Sequence, residues 1–153
     1  MKRALFVLAA VAGALLAYQR YAASQPVKVY RAFAEEVVHR RYDAAAGMCD
    51  GLTASDLARL GTQEQIGAGP EMFQTLFPAE FKITSERKQS DGTVTVTAVQ
   101  TVLFNPAGVE SAIRPAMFAD MKQVATLKKI GADWKVTSFE NEFQRMDSLR
   151  SRQ

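Results

Sequence analysis

The chain has 153 residues, and its composition of 48% hydrophobic and 23% charged residues is typical of a single folded domain. This length excludes a multidomain enzyme, and the single cysteine excludes a framework of disulfide bonds. The net charge of +3 comes from the first 24 residues, which hold three of the 19 basic residues and no acidic one, so that the remainder has 16 of each sign. Because no basic stripe remains to follow a phosphate backbone, we expect no nucleic-acid partner.

The N-terminal segment has the pattern of an export signal or a membrane anchor. Two basic residues precede an uninterrupted apolar run over residues 4–18. As a helix this run is about 22 Å long, which is shorter than a hydrocarbon core of about 30 Å and favours a cleaved signal peptide. The flanking Tyr18, Arg20 and Tyr21 instead favour an uncleaved anchor, because such side chains extend to the membrane interface. The side chains expected to contact lipid include Leu5, Phe6, Leu8, Leu15, Leu16 and Tyr18.

Either interpretation takes the rest of the chain out of the cytosol. We expect residues 1–24 to be a signal anchor, or alternatively a signal peptide, with membrane lipid contacted through residues 4–24. The basic residues before the apolar run hold the N-terminus in the cytoplasm. For a bacterial protein this predicts a single pass through the inner membrane with the C-terminal domain in the periplasm, or, after cleavage, a protein secreted to the periplasm. The unpaired Cys49 is interpreted as a small core residue.

Helical periodicity follows directly after this segment. Apolar residues recur on one side of a helix predicted over residues 27–40, after a proline that suits its first turn. A short helix is predicted over residues 42–48, and Thr53 or Ser55 is expected to cap a third one. One more short helix is predicted over residues 70–76, and Pro78 stops it.

After residue 80 the pattern changes to the period of two that is typical of strands. One face of the longest predicted strand carries only apolar side chains and Gln100. Glycine-containing turns are expected at residues 90–92 and 131–133. The last residues, 141–153, are predicted to form a short helix or a tail. The four predicted strands cover residues 81–84, 93–104, 121–129 and 134–139.

Helices followed by an antiparallel meander predict an α+β fold with the helices on one face of the sheet. The helix over residues 27–40 with Tyr42-Asp43-Ala44-Ala45 after it, the strand over 93–104 and the closing hairpin over 124–139 resemble the nuclear transport factor two-like superfamily. Domains of that superfamily commonly end in a strand, a turn and a sequence similar to Trp-Lys-Val. The resemblance covers residues 25–140, and it implies a curved sheet that wraps the helices as a cone around an apolar pocket, often in a dimer.

Enzymes of this superfamily are isomerases, dehydratases and polyketide cyclases, in which an Asp or His acts with a Tyr or His partner. That set is not visible in this sequence. His39, the only histidine, falls between the apolar positions of its helix and is expected to be exposed. Asp50 with Tyr30 or Tyr42 is the remaining acid–base candidate, although Asp-Gly pairs are more often turns. One histidine and one cysteine do not make a zinc site, so we assign no metal, no cofactor and no catalytic residue.

Aromatic side chains of the predicted helices and strands are the candidates for lining a ligand pocket. Such residues more often form the core, because large apolar side chains beside amphipathic helices are usually buried. Phe143, Met146 and Leu149, each three residues from the next, are spaced to dock a partner or to cover their own domain. The pocket or core candidates are Tyr30, Phe33, Phe73, Phe81, Phe104 and Trp134.

These features favour a membrane-anchored extracytoplasmic domain without catalytic activity, acting as an assembly or accessory subunit of a membrane protein complex. Members of the superfamily that assemble type IV secretion systems have the same layout of a short anchor followed by a cone. The expected partners are other membrane proteins or a second copy of the chain. The alternatives are an exported protein that binds a small molecule or lipid in a cavity of about 300 Å³ or more, or an isomerase- or dehydratase-type enzyme with a buried carboxylate facing such a cavity.

Overall fold

The computed structural model describes residues 25–65, 74–75, 79–105 and 116–148. Helices come first and strands follow, which confirms the predicted α+β class. The predicted anchor, residues 1–24, lies outside the described residues, and no helix among those described combines the length and apolar character needed to cross a bilayer. The elements are α1 (Gln25–Val38), α2 (Tyr42–Gly47), α3 (Ala54–Arg59), α4 (Thr62–Gln65), β1 (Gln74–Thr75), β2 (Glu80–Lys88), β3 (Val94–Asn105), β4 (Met117–Ile130) and β5 (Asp133–Ser148).

The first helix, α1, is amphipathic and buries the stripe of residues expected from its periodicity. It ends two residues earlier than predicted, because Arg40 adopts a left-handed conformation with a φ of 60°. The backbone N–H groups of Arg40 and Arg41 donate to the carbonyls of Val37 and Glu36, at 3.1 and 2.9 Å, and so satisfy the last turn. The buried stripe comprises Pro26, Tyr30, Phe33, Ala34, Val37 and Val38.

The cap of α3 is Thr53, the first of the two predicted candidates. Its hydroxyl oxygen accepts from the backbone N–H of Asp56 at 3.2 Å, and the Asp56 carboxylate accepts from the backbone N–H of Thr53 at 3.0 Å. This reciprocal pair satisfies two N–H groups that have no partner inside the helix. A helix of only six residues is thereby given a defined start.

All five strands form one antiparallel sheet with β3 at its centre. β4 pairs along one side of β3, whereas β2 and the short β1 share its other side. β5 pairs with β4 along its whole length and is the edge strand. The predicted turns are confirmed: Gly92 and Gly131 have φ values of 83° and 63°, a conformation that other residues rarely adopt.

The buried face of α1 packs on one face of the sheet, and this contact forms the main core. Phe33 meets Phe139 edge to face, with ring centroids 4.9 Å apart, and Tyr30 meets Phe81 in the same manner at 6.1 Å. The inner side chains of the strands alternate with outward ones, as the sequence pattern predicts. Those in the core are Val94, Val96, Ala98, Ala125, Leu127, Val136 and Phe139.

The turn after α2 is joined to the edge strand by main-chain hydrogen bonds. The N–H of Asp50 donates to the carbonyl of Val136 at 2.9 Å, and the N–H of Val136 donates to the carbonyl of Met48 at 3.0 Å. The ammonium group of Lys135 donates to the carbonyl of Gly47 at 2.7 Å. These contacts cover the outer edge of β5 near its start and hold the helices against the sheet.

Two predicted helical segments are corrected by the structure. Residues 141–148, predicted as a short helix or tail, continue β5 in register with β4. The sequence misses this extension because most side chains beyond Asn141 are exposed, so the strand has no apolar and polar alternation there. Gln74 and Thr75, placed in a helix by the sequence, pair with β3 as β1. The other residues of that predicted helix lie outside the described residues.

Backbone hydrogen exchange tests the extension of β5. Because the edge strand offers only one of its sides to β4, we expect alternate amides to exchange slowly over residues 141–143 and again over residues 145–148, on either side of the unpaired position 144. Exchange measured by NMR at each amide distinguishes this from a tail. Uniformly fast exchange after residue 140, with slow exchange retained in β4, would contradict the assignment.

Candidate functional site

Five polar side chains lie together between the helices and the sheet, and we call them the polar cluster: Tyr30, Thr62, Gln100, Gln123 and Asn141. Each exposes no more than 5% of its surface. They come from five different elements, namely α1, α4, β3, β4 and β5. Buried polar groups are destabilising unless they are hydrogen-bonded, so the arrangement of this cluster restricts how the elements pack.

The cluster is connected by short side-chain hydrogen bonds centred on Gln123. The Tyr30 hydroxyl donates to Gln123 Oε1 at 2.6 Å. Gln123 Nε2 donates to Gln100 Oε1 and to Asn141 Oδ1, both at 3.0 Å. The Thr62 hydroxyl adds a second donor to Gln100 Oε1 at 2.9 Å. One amide on β4 therefore joins the two neighbouring strands to each other and to α1.

A backbone carbonyl fixes the orientation of all three amides. Asn141 Nδ2 donates to the carbonyl of Leu60 at 2.9 Å, and because that carbonyl can only accept, Asn141 must present Oδ1 to Gln123. Gln123 must then present Nε2 to Asn141 and to Gln100, so Gln100 must present its oxygen in turn. Gln100 Nε2 is left as a fully buried donor without a hydrogen-bond partner among the described residues.

The polar cluster contains no group that ionises near neutral pH. Threonine, glutamine and asparagine do not titrate, and burial raises the pKa of the Tyr30 phenol well above its ordinary value of 10.0. Tyr30 therefore stays a neutral hydrogen-bond donor. The arrangement can position an acceptor group, but it supplies neither an acid nor a base for proton transfer.

The predicted acid–base candidates are not brought together. Asp50 is exposed in the turn after α2, whereas the hydroxyl of Tyr30 is buried and bound to Gln123. Tyr42 is half-buried, and desolvation raises the pKa of its phenol. His39 is exposed, as predicted, with its ring Nε2 lying 3.0 Å from the carboxylate of Glu35. None of these groups forms a pair inside a cavity.

Cys49 is half-buried rather than fully enclosed, and its thiol donates to the carbonyl of Ala45 at 3.3 Å. Burial raises the pKa of this thiol to about 11. The thiolate that a nucleophile requires is therefore scarce at neutral pH. This is consistent with the interpretation of Cys49 as a packing residue.

A buried carboxylate does occur, on the outer face of the sheet. Asp120 accepts from the Thr101 hydroxyl through Oδ1 at 2.6 Å and from Arg145 Nε through Oδ2 at 2.7 Å. A cleft of about 310 Å³ adjoins these residues. Because both carboxylate oxygens are engaged, the group acts as a link between β3, β4 and β5. Sequence reasoning missed it, since nothing in the sequence connects Asp120 with an arginine 25 residues later.

The aromatic candidates have different positions in the fold. Tyr30 and Phe33 are fully buried in the main core, and Phe104 belongs to a second core cluster with Val102. Phe73 lies outside the described residues. Trp134 is half-buried and lines an open groove of about 630 Å³ at the start of β5. Trp134 therefore contacts a surface groove, whereas Phe81 is partly buried against both core clusters.

Two apolar side chains are exposed at the opposite end of β5. Phe143 and Met146 expose 38% and 36% of their surfaces. Their partners in the β-ladder, Met121 and Ala119, are fully buried on the inner face of β4. The exposed pair therefore lies on the inner side of the sheet, past the helices that cover its other end.

No protein-family model and no curated protein matches the chain. Within the described part of the chain, no three His, Cys, Asp or Glu side chains lie close enough to share a metal ion.

A double-mutant cycle tests the coupling within the polar cluster. We expect Tyr30→Phe to destabilise the fold by about 1 kcal/mol and Gln123→Leu by about 3 kcal/mol, because the second change leaves the Tyr30 hydroxyl without an acceptor. The double variant should cost about 1 kcal/mol less than the sum of the two. Urea denaturation followed by Trp134 fluorescence measures the free energy of unfolding. The exposed Gln144→Leu is the matched control, and additive costs in the cycle would show that the two groups are not coupled.

Proposed function

We propose that the chain is a membrane-anchored extracytoplasmic domain of a bacterial inner membrane that binds a partner protein as an accessory subunit and performs no reaction of its own. The observation that carries this proposal is the exposed apolar pair Phe143 and Met146 on an edge strand. The apolar run over residues 4–18 supports the anchor and the location.

The far half of β5, residues 141–146, offers two kinds of contact to a partner. Its exposed apolar side chains continue the buried inner face of β4 and remove apolar surface from water when covered. Its outer edge offers main-chain groups, since among the described residues the only bridge on that edge is the one at Val136. A partner segment that adds to this edge gains affinity from the main chain and specificity from the apolar pair.

The interior of the domain supports binding rather than catalysis. The polar cluster holds neutral side chains, and the carboxylate of Asp120 has both oxygens engaged by neighbouring residues. A curved, cone-like sheet of the nuclear transport factor two-like kind is part of the proposal. It is supported by irregularities in the strand pairing at Ile83/Ser85, Asp120/Met121 and Thr126/Leu127, because bulges bend strands.

Replacement of the exposed pair tests this function. In the full chain, extracted in mild detergent from its native membrane, we expect Phe143→Ser/Met146→Ser to reduce the yield of a co-purifying partner about tenfold or more, because buried apolar anchors dominate most interfaces. Ile130→Ser is the matched control, since Ile130 is 40% exposed at the opposite end of the sheet. A photo-crosslinking residue at position 144 should capture the same partner.

Three outcomes are informative. A partner retained in full by the double variant, or lost equally from the Ile130 variant, would contradict the proposed surface. Crosslinks between two copies of the chain would identify the partner as a homodimer. An intact mass that begins near residue 25, in a soluble fraction, would contradict the anchor.

A second candidate function, the binding of a small ligand inside the domain, is favoured by Gln100 Nε2. This buried donor has no hydrogen-bond partner among the described residues, and a ligand carbonyl or carboxylate oxygen would satisfy it.

Native mass spectrometry tests this candidate on the full chain. We expect a bound small molecule on the native chain and about a tenfold lower occupancy in Gln100→Met, which keeps the length of the side chain. This change removes the donor and also the Oε1 acceptor of Thr62 and Gln123, so the comparison is made at a temperature where urea unfolding shows both proteins to be folded. The exposed Gln144→Met serves as the control. An unchanged spectrum for Gln100→Met, or no bound mass on the native chain, would contradict ligand binding at this donor.

A further inference from the structure

The groove beside Trp134 lies where α1 begins, at the opposite end of β5 from the exposed pair. The apolar residues that line the groove are Pro26, in the first turn of α1, Val94 and Trp134. Val94 is almost fully buried, whereas Trp134 is half-buried. The groove therefore combines apolar lining residues with an opening to solvent.

The rim of the groove is charged. Among the described residues that line it, Lys88 on β2 and Lys129 on β4 contribute two ammonium groups and Glu86 contributes one carboxylate. Desolvation raises the pKa of the Glu86 carboxyl above its ordinary value. The rim thus favours an anionic occupant.

The hairpin tip beside the groove has an apolar residue at the end of β4, two lysines before it and Asp133 opposite it on β5. Ile130, the last residue of β4, exposes 40% of its surface, and Lys128 and Lys129 come directly before it. Lys129 is the partner of Trp134 in the β-ladder. An exposed aliphatic residue with a tryptophan and lysines around it has the chemistry of a membrane-interface segment.

The chain before α1 limits how far this end can lie from a bilayer. Six residues, 19–24, separate the apolar run from Gln25. They span at most about 20 Å when extended and about 9 Å as a helix. If the apolar run crosses the membrane, the groove and the hairpin tip therefore lie within reach of the headgroup layer.

We propose that this end of the domain is a lipid-binding face. The groove holds the phosphate of an anionic phospholipid headgroup between Lys88 and Lys129, next to Trp134. Ile130 enters the interfacial layer of the membrane. The occupant is a lipid of the same bilayer that holds the anchor, so the inference rests on the membrane location in the proposed function. Binding here orients the domain, with the start of β5 at the membrane and the exposed pair Phe143 and Met146 directed away from it.

Trp134 is the only tryptophan of the chain, so its fluorescence reports on the groove directly. The full chain is reconstituted into vesicles of phosphatidylcholine, with or without phosphatidylglycerol, that contain lipids brominated close to the headgroup. We expect strong quenching and a blue shift of Trp134 emission in the anionic vesicles. Lys88→Gln and Lys129→Gln should each weaken the association of the groove with lipid about fivefold.

Two sets of controls separate this face from general effects of charge and hydrophobicity. Lys82→Gln/Lys122→Gln removes two exposed lysines from the outer face of the sheet and should leave quenching unchanged. Ile130→Ser should reduce quenching, whereas Phe143→Ser/Met146→Ser should not. Equal unfolding midpoints in urea show that each variant is folded.

The outcomes distinguish this inference from the proposed function. A chain that floats with the vesicles but shows no quenching, or equal quenching in neutral and anionic lipid, overturns the lipid-binding face and leaves the anchor intact. A chain that does not float contradicts the anchor itself. A shift of Trp134 emission with inorganic phosphate in detergent, without quenching by lipid, overturns the inference and makes the groove a site for a soluble anion.

Discussion

The hydrogen bonds of Gln123 determine how the helices can sit on the sheet. This side chain is fully buried in the middle of β4, and its amide reaches β3, β5 and α1 at once. Apolar packing tolerates small shifts between elements, but a buried amide loses its bonds when its partners move. The cluster thereby selects one register and one helix position from the many that would bury similar apolar area. Its neutral composition avoids the large desolvation cost of buried charges.

Most charged side chains lie at the surface of the domain, outside the neutral polar cluster and the apolar core. Ion pairs such as those of Arg41 with Glu36 and Arg59 with Asp56 lie at the surface, where solvent weakens them. Asp120 is the buried exception, and its link with Arg145 ties the outer face of the last three strands together. We therefore expect binding at the ends of the sheet, where the exposed pair and the Trp134 groove face solvent, or at Gln100, whose Nε2 has no hydrogen-bond partner among the described residues.

The sequence predicts the parts of the fold that have one buried face. The stripe of α1 and the alternation of β3 identify their elements, because each packs against the other along one side. The sequence does not predict the far half of β5, because this part of the strand lies past the helices and exposes both of its faces. Gln100 is visible from the sequence as one polar residue on an apolar face, but its partners Thr62 and Gln123 are 38 and 23 residues away. Only the folded chain shows that these side chains meet, and the groove at Trp134 likewise depends on four strand ends and a helix.

The length of β5 gives the domain the properties of a spacer. Twelve residues separate Trp134 from Met146, which corresponds to about 40 Å of strand between the Trp134 groove and the exposed pair. Because side chains alternate along a strand, a regular spacer keeps the same face only when its length changes in steps of two residues, or about 7 Å. A β-bulge, such as those that β5 has opposite Asp120/Met121 and Thr126/Leu127, accommodates a single extra residue. An insertion of one residue in both β4 and β5 would turn the exposed pair to the opposite side of the sheet. The separation of the exposed pair from the Trp134 groove therefore changes only in discrete increments.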